Sequence, residues 1–196
     1  MGSSGRHLNK GFKDPCMEKD KETLQKLPTA MHDKRFEITL AFLRRHIPWS
    51  DSILDLGEVN TLSDKMRAMG YKVTNTTGDL DLGYDTSDFK VITAFEIFEH
   101  MFAPFNILNS SKGKLVASVP LRLWFTPVYW NLDDDRDCHY HEFERQQFDL
   151  LLKRTGWRVK DWTTWTAPCK GFGIRPMLRR IYPKFYLVYA EKDCSN

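Results

Sequence analysis

Strand signals and helix signals alternate along most of this chain, and that alternation constrains its fold more than any other feature. The apolar run 52–56 ends at Gly57, as a buried parallel strand does where it turns toward a helix. A helix capped by Asn60 and stopped by Gly70 comes next, followed by a strand that ends at Asn75. Repeated units of this kind predict an α/β domain with a mostly parallel sheet and helices on both faces.

The remaining elements are predicted from hydrophobic spacing and from chain breakers. One helix ends before Pro48, another begins at Pro104, and a third, around Phe148, ends at Gly156. Further strands are predicted over 90–95, 114–119, 157–165 and 185–190. No helical period as clear as the others lies between the last two strands, so we expect the last strand to run antiparallel.

Length and composition indicate an ordinary globular protein. The 196 residues suffice for one domain, which we place at 29–196, after a polar, Lys-rich and flexible arm at 1–28. The net charge of +3 does not indicate a nucleic-acid partner, and no apolar run reaches the length of a membrane span. The four cysteines are widely spaced, so we expect reduced thiols and a cytoplasmic location.

Three stretches carry a resemblance to a known family. They are 53–57 (Ile-Leu-Asp-Leu-Gly), 91–100 (Val-Ile-Thr-Ala-Phe-Glu-Ile-Phe-Glu-His) with the strand 113–120, and 139–143 (His-Tyr-His-Glu-Phe). In this order they resemble class I S-adenosylmethionine-dependent methyltransferases, particularly the small type-11 and type-23 domains. The resemblance implies a Rossmann-like fold, S-adenosyl-L-methionine as cofactor, and methyl transfer to an oxygen or nitrogen of a small-molecule acceptor.

The same resemblance implies a set of cofactor-binding residues. Asp55, Gly57 and Glu58 are expected beneath the cofactor, and Phe95 and Glu96 beside it. Glycines after a strand let backbone amides approach a ligand closely. The loop departs from the family pattern, because Val59 and Thr61 stand where further glycines are usual. A non-catalytic binding module with a degraded cofactor loop is therefore an alternative to the enzyme.

An acidic residue about twenty positions after the glycine loop usually holds the ribose in Rossmann-type sites. Either Asn75 replaces that acid here, or Asp79 supplies it. Residues 71–90 are too few for the strand, helix and strand that the family fits there, so we infer a deletion, with Asp79 and Asp81 near the adenine or ribose. A solvated turn is the alternative for both aspartates.

Candidate catalytic residues lie after the strand 90–95 and before the helix around Phe148. They are Glu99, His100 and His141, with His141 as a general base toward a hydroxyl or amine. His139 and His141 would point to one side of an extended segment, and we expect His139 rather to anchor the loop. Glu96, Glu99, His100 and His141 also resemble the metal site of small-RNA terminal 2′-O-methyltransferases. We favour the metal-free alternative.

Two further groups have both a functional and a structural interpretation. Aromatic residues after the strand 114–119 either line an acceptor pocket or pack in the core: Trp124, Phe125, Tyr129 and Trp130. A basic stretch either receives a phosphate or acidic partner or forms a solvated lid, which we favour: Lys170, Arg175, Arg179, Arg180 and Lys184.

Overall fold

The computed structural model of the protein describes residues 30–131, 133–167 and 171–192, without the side chains of residues 30–33 and 135. The chain divides into two compact units, Met1–Ile38 and Thr39–Asn196. The first unit is described from residue 30, where helix α1 (Ala30–His46) begins. The predicted arm, residues 1–28, lies outside the described residues.

A six-stranded sheet forms the centre of the second unit, in the order β2-β1-β3-β4-β6-β5. The strands are β1 (Ser52–Asp55), β2 (Lys72–Asn75), β3 (Val91–Phe95), β4 (Lys114–Pro120), β5 (Trp157–Thr166) and β6 (Pro183–Lys192). Strands β1 to β4 pair in parallel, and β6 runs antiparallel to both β4 and β5. The predicted mostly parallel sheet with an antiparallel last strand is confirmed.

Helices connect the strands largely as the sequence predicts. They are α2 (Thr61–Ala68), α3 (Pro104–Ser110), α4 (Arg145–Arg154) and α5 (Ile174–Ile181). The Asn60 side chain caps α2 by accepting hydrogen bonds from the backbone amides of Leu62 and Ser63. Helix α5 was not predicted, because two glycines precede it and Pro176 interrupts its sequence pattern. Pro176 is the third residue of the helix, and proline in the first turn removes no intrahelical hydrogen bond.

The connection between β2 and β3 is short, as the predicted deletion requires. Residues 76–90 contain only a 3₁₀ turn, Leu80–Leu82, and no strand lies beyond β2 within the described ranges. Asp81 fixes this turn to the start of α3, since its carboxylate accepts hydrogen bonds from the amides of Phe102 and Ala103, both at 2.8 Å. The end of β2 therefore lies at an open edge of the sheet.

Apolar residues of the central strands form the core beneath the carboxyl ends of the sheet. Leu54, Ile92 and Leu115 occupy neighbouring strands and are fully buried, together with Phe98 and Phe148. Burying a side chain of this size stabilises the fold by about 1.5–3 kcal/mol. In the part of the chain that the structure describes, no helix is both long enough and apolar enough to cross a membrane.

Candidate functional site

The strand order reverses between β1 and β3, because the chain passes from β1 to β2 on one side and then to β3 on the other. Open α/β sheets bind ligands in the crevice at the carboxyl ends of the strands at such a point. Gly57 follows β1 and Glu96 follows β3, and both have left-handed backbone, with φ of +101° and +57°. Glu96 is the only described residue other than glycine with positive φ. Such strain concentrates at functional sites.

Gly57 is required by its conformation and by its surroundings. A Cβ added at this position would lie 2.9 Å from Cδ1 of Ile97, closer than real Cβ contacts. Glu58 and Val59 follow on an exposed loop and Thr61 is the exposed first residue of α2, and the Val59 side chain is 64% exposed. The two residues that replace family glycines therefore do not pack into the body of the protein.

Asp55 lies buried at the end of β1, directly before this loop. The Thr93 hydroxyl donates a hydrogen bond of 2.6 Å to one carboxylate oxygen, and the Asn75 amide donates one of 3.0 Å to the other. Burial raises the pKa of Asp55 to about 6, although both hydrogen bonds lower it. The base of the loop thus contains a carboxyl group that titrates near neutral pH.

Residues at the end of β2 hold the glycine loop in place. The Asn75 amide nitrogen also lies 3.1 Å from the Gly57 carbonyl oxygen and 3.3 Å from that of Glu58, and the Arg67 guanidinium donates to the Asn75 side-chain oxygen. The Gly57 amide donates a hydrogen bond of 2.6 Å to the Thr76 hydroxyl. Asn75 therefore supports the loop from within instead of presenting an acceptor to a ligand.

The two aspartates of the shortened connection differ in their surroundings. Asp81 is committed to the Phe102 and Ala103 amides, whereas Asp79 is exposed and caps the 3₁₀ turn by accepting a hydrogen bond from the Asp81 amide. Of the three residues predicted near a ribose, Asn75, Asp79 and Asp81, only Asp79 has an exposed carboxylate.

A cluster of ligand-type side chains lies after β3. Glu99, His100 and His139 each offer one atom, and these three atoms lie within 4.8 Å of one another. Glu99 and His100 belong to a 3₁₀ turn, Phe98–His100, and the rings of His100 and His139 lie 4.9 Å apart. Glu99 is 1% exposed, so the cluster brings a buried carboxyl group next to two half-buried imidazoles.

Hydrogen bonds at Nδ1 orient both imidazoles. His100 Nδ1 lies 3.0 Å from the Cys138 carbonyl oxygen, so it must donate, and His139 Nδ1 lies 3.2 Å from the Glu142 carboxylate. With Nδ1 engaged, Nε2 is the atom that each ring can offer to a metal ion or a substrate proton, and His100 Nε2 lies 3.9 Å from Glu99 Oε1. Burial, and next the nearby His139, lower the pKa of His100 and so favour its neutral form.

The expectation that His139 and His141 point to one side is wrong. The amides of Tyr140 and His141 both donate to the carbonyl oxygen of Glu99, at 2.8 and 3.2 Å, whereas successive amides of an extended strand point in opposite directions. The bend sends His139 to His100, while His141 Nε2 lies 3.3 Å from the Phe102 carbonyl oxygen. His139 therefore takes the place that the sequence suggested for His141 in a metal site, and Glu96 is outside the cluster.

Lys184, which the sequence assigned to a solvated basic lid, is instead half-buried at the start of β6. The Leu121 amide donates to the Lys184 carbonyl oxygen at 2.6 Å, which holds the start of β6 beside the end of β4. Burial lowers the pKa of the Lys184 ammonium, and the carboxylates of Glu142, Glu96 and Glu99 act against that shift. Its position depends on the β4–β6 register, for which the sequence contains no local signal.

The aromatic residues after β4 lie at the surface and not in the core. Trp124 and Trp130 are 71% and 54% exposed, and Phe125 and Tyr129 are half-buried, so the core-packing interpretation is wrong for all four. The Tyr129 ring lies 4.8 Å from that of His139. Tyr129 therefore borders the cluster of Glu99, His100 and His139, whereas Trp124 and Phe125 pack against each other and Tyr182.

No family model matches the sequence, and no curated protein matches it either. Solved structures do match. The 1,6-didemethyltoxoflavin-N1-methyltransferase of Burkholderia thailandensis, with bound 1,6-didemethyltoxoflavin and S-adenosylhomocysteine, has a TM-score of 0.59 at 14% identity, over 94% of this chain and 93% of that one.

Two further solved structures support the same comparison. An S-adenosylmethionine-dependent methyltransferase of Mesorhizobium loti has a TM-score of 0.51 at 16% identity, over 78% of this chain and 96% of its own. A chain of the Haloferax volcanii complex between the Trm112 methyltransferase activator and a methyltransferase has a TM-score of 0.59 at 12% identity. The match covers 92% of this chain and 98% of that one. At these identities the likeness concerns the fold. The chain has the Rossmann-like fold of the class I S-adenosylmethionine-dependent methyltransferases.

Proposed function

We propose that this protein transfers a methyl group from S-adenosylmethionine to an oxygen or nitrogen of a small-molecule acceptor. The observation that carries the proposal is the pair of left-handed residues, Gly57 and Glu96, at the carboxyl ends of the adjacent parallel strands β1 and β3. They flank the crevice where sheets of this topology bind their ligands. The Burkholderia enzyme with the same fold holds S-adenosylhomocysteine.

The residues present fit this cofactor. Gly57 adopts a left-handed backbone at a position where a Cβ would meet Ile97, and the exposed loop after it leaves backbone groups accessible. Asp55 and Glu58 beneath the crevice, Phe95 and Glu96 beside it and Asp79 at the ribose end form the proposed set. Asn75 and Asp81 support it. When bound, the cofactor supplies a methyl group on a sulfonium, which is a good leaving group.

The acceptor lies, in this proposal, over the cluster of Glu99, His100 and His139. The neutral imidazole of His100 accepts at Nε2 the proton that an acceptor hydroxyl or amine loses, and the buried Glu99, whose Oε1 lies 3.9 Å from that atom, stabilises the resulting imidazolium. His141, adjacent to the cluster, contacts the acceptor as a second candidate base. The main contribution of the protein is to place the acceptor in line with the methyl group.

Thermal unfolding with S-adenosylhomocysteine tests the proposal. A ligand that binds only the native state stabilises it by about 2.7 kcal/mol at a hundredfold excess over Kd, so the melting temperature rises. Gly57→Ala, which brings a Cβ against Ile97, reduces the shift. Gly70→Ala is the matched control, because Gly70 has φ of +96° and open space around it. No shift of the unmodified protein at millimolar ligand contradicts the proposal.

A second candidate function is metal-assisted methyl transfer, which the convergence of Glu99, His100 and His139 specifically favours. Imidazole and carboxylate ligands suit a divalent cation such as Mn²⁺, and partners at Nδ1 are typical of metal-bound histidines. Electron paramagnetic resonance with added Mn²⁺ tests it. One bound ion that is lost in His139→Ala and retained in His141→Ala supports the site. Equal Mn²⁺ binding by both variants and the unmodified protein contradicts it.

A further inference from the structure

Helix α5 exposes its apolar residues to solvent. Ile174, Met177 and Ile181 are spaced by three and four positions and so share one side of the helix. Their side chains are 75%, 56% and 64% exposed, and no residue of α5 is buried. Phe172, just before the helix, is also fully exposed. Contiguous apolar surface of this kind marks an interaction site.

Positive charge borders this apolar side. At about 100° per residue, Arg175 and Arg180 lie on opposite flanks of the side formed by Ile174, Met177 and Ile181. Residues 171–182 contain three arginines and no acidic residue. A short helix with an apolar side, basic flanks and no acidic residues is typical of helices that lie in the interface of an anionic membrane.

Aromatic residues extend the same surface toward the acceptor side of the sheet. Trp124, 71% exposed, and Tyr182, 42% exposed, have ring centroids 6.5 Å apart, and Phe125 lies 5.9 Å from Tyr182. Trp and Tyr concentrate at membrane–water interfaces, where one part of the ring system is apolar and another is hydrated. Arg179 of α5 also acts electrostatically on Lys184, which places the helix next to the proposed acceptor site.

We propose that α5, with Phe172, Trp124 and Tyr182, is a docking surface for an anionic lipid bilayer. Charge complementarity selects this occupant, because anionic headgroups match the arginines while the apolar side chains enter the acyl boundary. Two copies of the chain meeting through this surface would oppose like charges. Docking turns the acceptor side of the sheet toward molecules held in the bilayer, and this last step rests on the proposed function.

Vesicle co-sedimentation of the full chain tests the surface. We expect the protein to bind phosphatidylglycerol-containing vesicles at least roughly tenfold more tightly than pure phosphatidylcholine vesicles, with binding weakened by high salt. The variant Ile174→Ser/Ile181→Ser should lose most of this binding. Leu150→Ser is the matched control, since Leu150 is a 58% exposed apolar residue on α4, outside the proposed surface, and it should bind as the unmodified protein does.

Several outcomes overturn the inference: equal binding to both kinds of vesicle, full binding by the double variant, or a dimer that the double variant abolishes without any vesicle binding. Circular dichroism and S-adenosylhomocysteine titration in buffer accompany each variant. Because all substituted residues lie outside the proposed cofactor residues, vesicle binding without S-adenosylhomocysteine binding would contradict only the proposed function. S-adenosylhomocysteine binding without vesicle binding would contradict only the docking surface.

Discussion

The two halves of the candidate site are built differently. In the half around Gly57, polar groups satisfy one another: Asp55 bonds to Thr93 and Asn75, and the Gly57 amide bonds to Thr76. In the half around His100, the 3₁₀ turn after β3 and the loop before α4 bring together ligand-type atoms, with both imidazoles oriented through their Nδ1 atoms. The first half is a preformed frame, and the second presents reactive atoms.

This difference separates two kinds of experimental effect. Substitutions in the frame should alter stability and cofactor affinity, because its residues hydrogen-bond to one another and to the backbone of the glycine loop. Substitutions in the histidine cluster should alter turnover at unchanged affinity for the cofactor product, because its residues face the acceptor.

His139→Ala should lower turnover by roughly 10²- to 10⁴-fold, the usual cost of losing a general base or its positioning partner. His141→Ala should lower it less, by tens of times, because His141 lies outside the cluster. Initial rates with an acceptor found by screening hydroxylated and amino compounds measure both. Affinity for S-adenosylhomocysteine should stay unchanged, and a loss of that affinity in His139→Ala would break the separation.

Asp55→Asn should change how stability depends on pH. The folded-state pKa of Asp55 is raised from 3.8 to about 6, so the folded state holds this proton more tightly than the unfolded chain does. Stability is therefore lost as pH rises from about 4 to about 6, by about 3 kcal/mol in total at 1.36 kcal/mol per pH unit. Asn lacks this contribution.

Urea unfolding of the two proteins between pH 4 and 7 measures the effect. Subtracting the free energies of unfolding removes the contributions of the other titratable groups. The stability of the unmodified protein relative to Asp55→Asn should fall by about 2.4 kcal/mol over this range, because part of the total is already lost below pH 4. Parallel pH curves would show that Asp55 does not titrate as a buried group.

Glu96→Gly should raise the free energy of unfolding of the protein and weaken its binding of the cofactor. Left-handed backbone costs a residue with a Cβ about 1–2 kcal/mol, and glycine removes most of that cost. Glu96→Gln is the control, since it removes the charge but keeps the strain. Urea unfolding and calorimetric titration with S-adenosylhomocysteine compare the variants. A loss of stability in Glu96→Gly would mean that the conformation of Glu96 is not strained.

Asp79→Ala should weaken S-adenosylhomocysteine binding by roughly fivefold, as expected for one solvent-exposed hydrogen bond worth about 1 kcal/mol. Asp85→Ala is the matched control, because Asp85 is an exposed aspartate of the same connection that likewise accepts a hydrogen bond from the amide two residues later. Equal affinities of the two variants would remove Asp79 from the ribose end of the site.

Local signals predicted the frame well and the cluster only in part. The strand ending at Gly57, the Asn60 cap and the shortened connection are each encoded within a few residues, so sequence spacing reveals them. His139, and not His141, lies in the cluster because the Glu99 carbonyl oxygen accepts hydrogen bonds from two successive amides. This long-range contact has no sequence pattern. The site role of Lys184 depends on strand register in the same way.

The roles of Asn75 and α5 show a second limit. Asn75 occupies the position expected for a ribose-binding acid, but its partners, Arg67 above all, lie on another element and turn it inward. Helix α5 has only eight residues, one of which is Pro176, and two glycines precede it. Its hydrophobic periodicity is therefore too short to be recognised in the sequence. Its exposed apolar side becomes visible only once the helix is placed on the surface.

A crystal structure of the protein soaked with S-adenosylhomocysteine would show where the cofactor product binds. We expect the nucleoside in the crevice between Gly57 and Glu96, at the carboxyl ends of β1 and β3, with its sulfur facing the cluster of Glu99, His100 and His139. An empty crevice at millimolar ligand, or a nucleoside bound elsewhere on the protein, would contradict it.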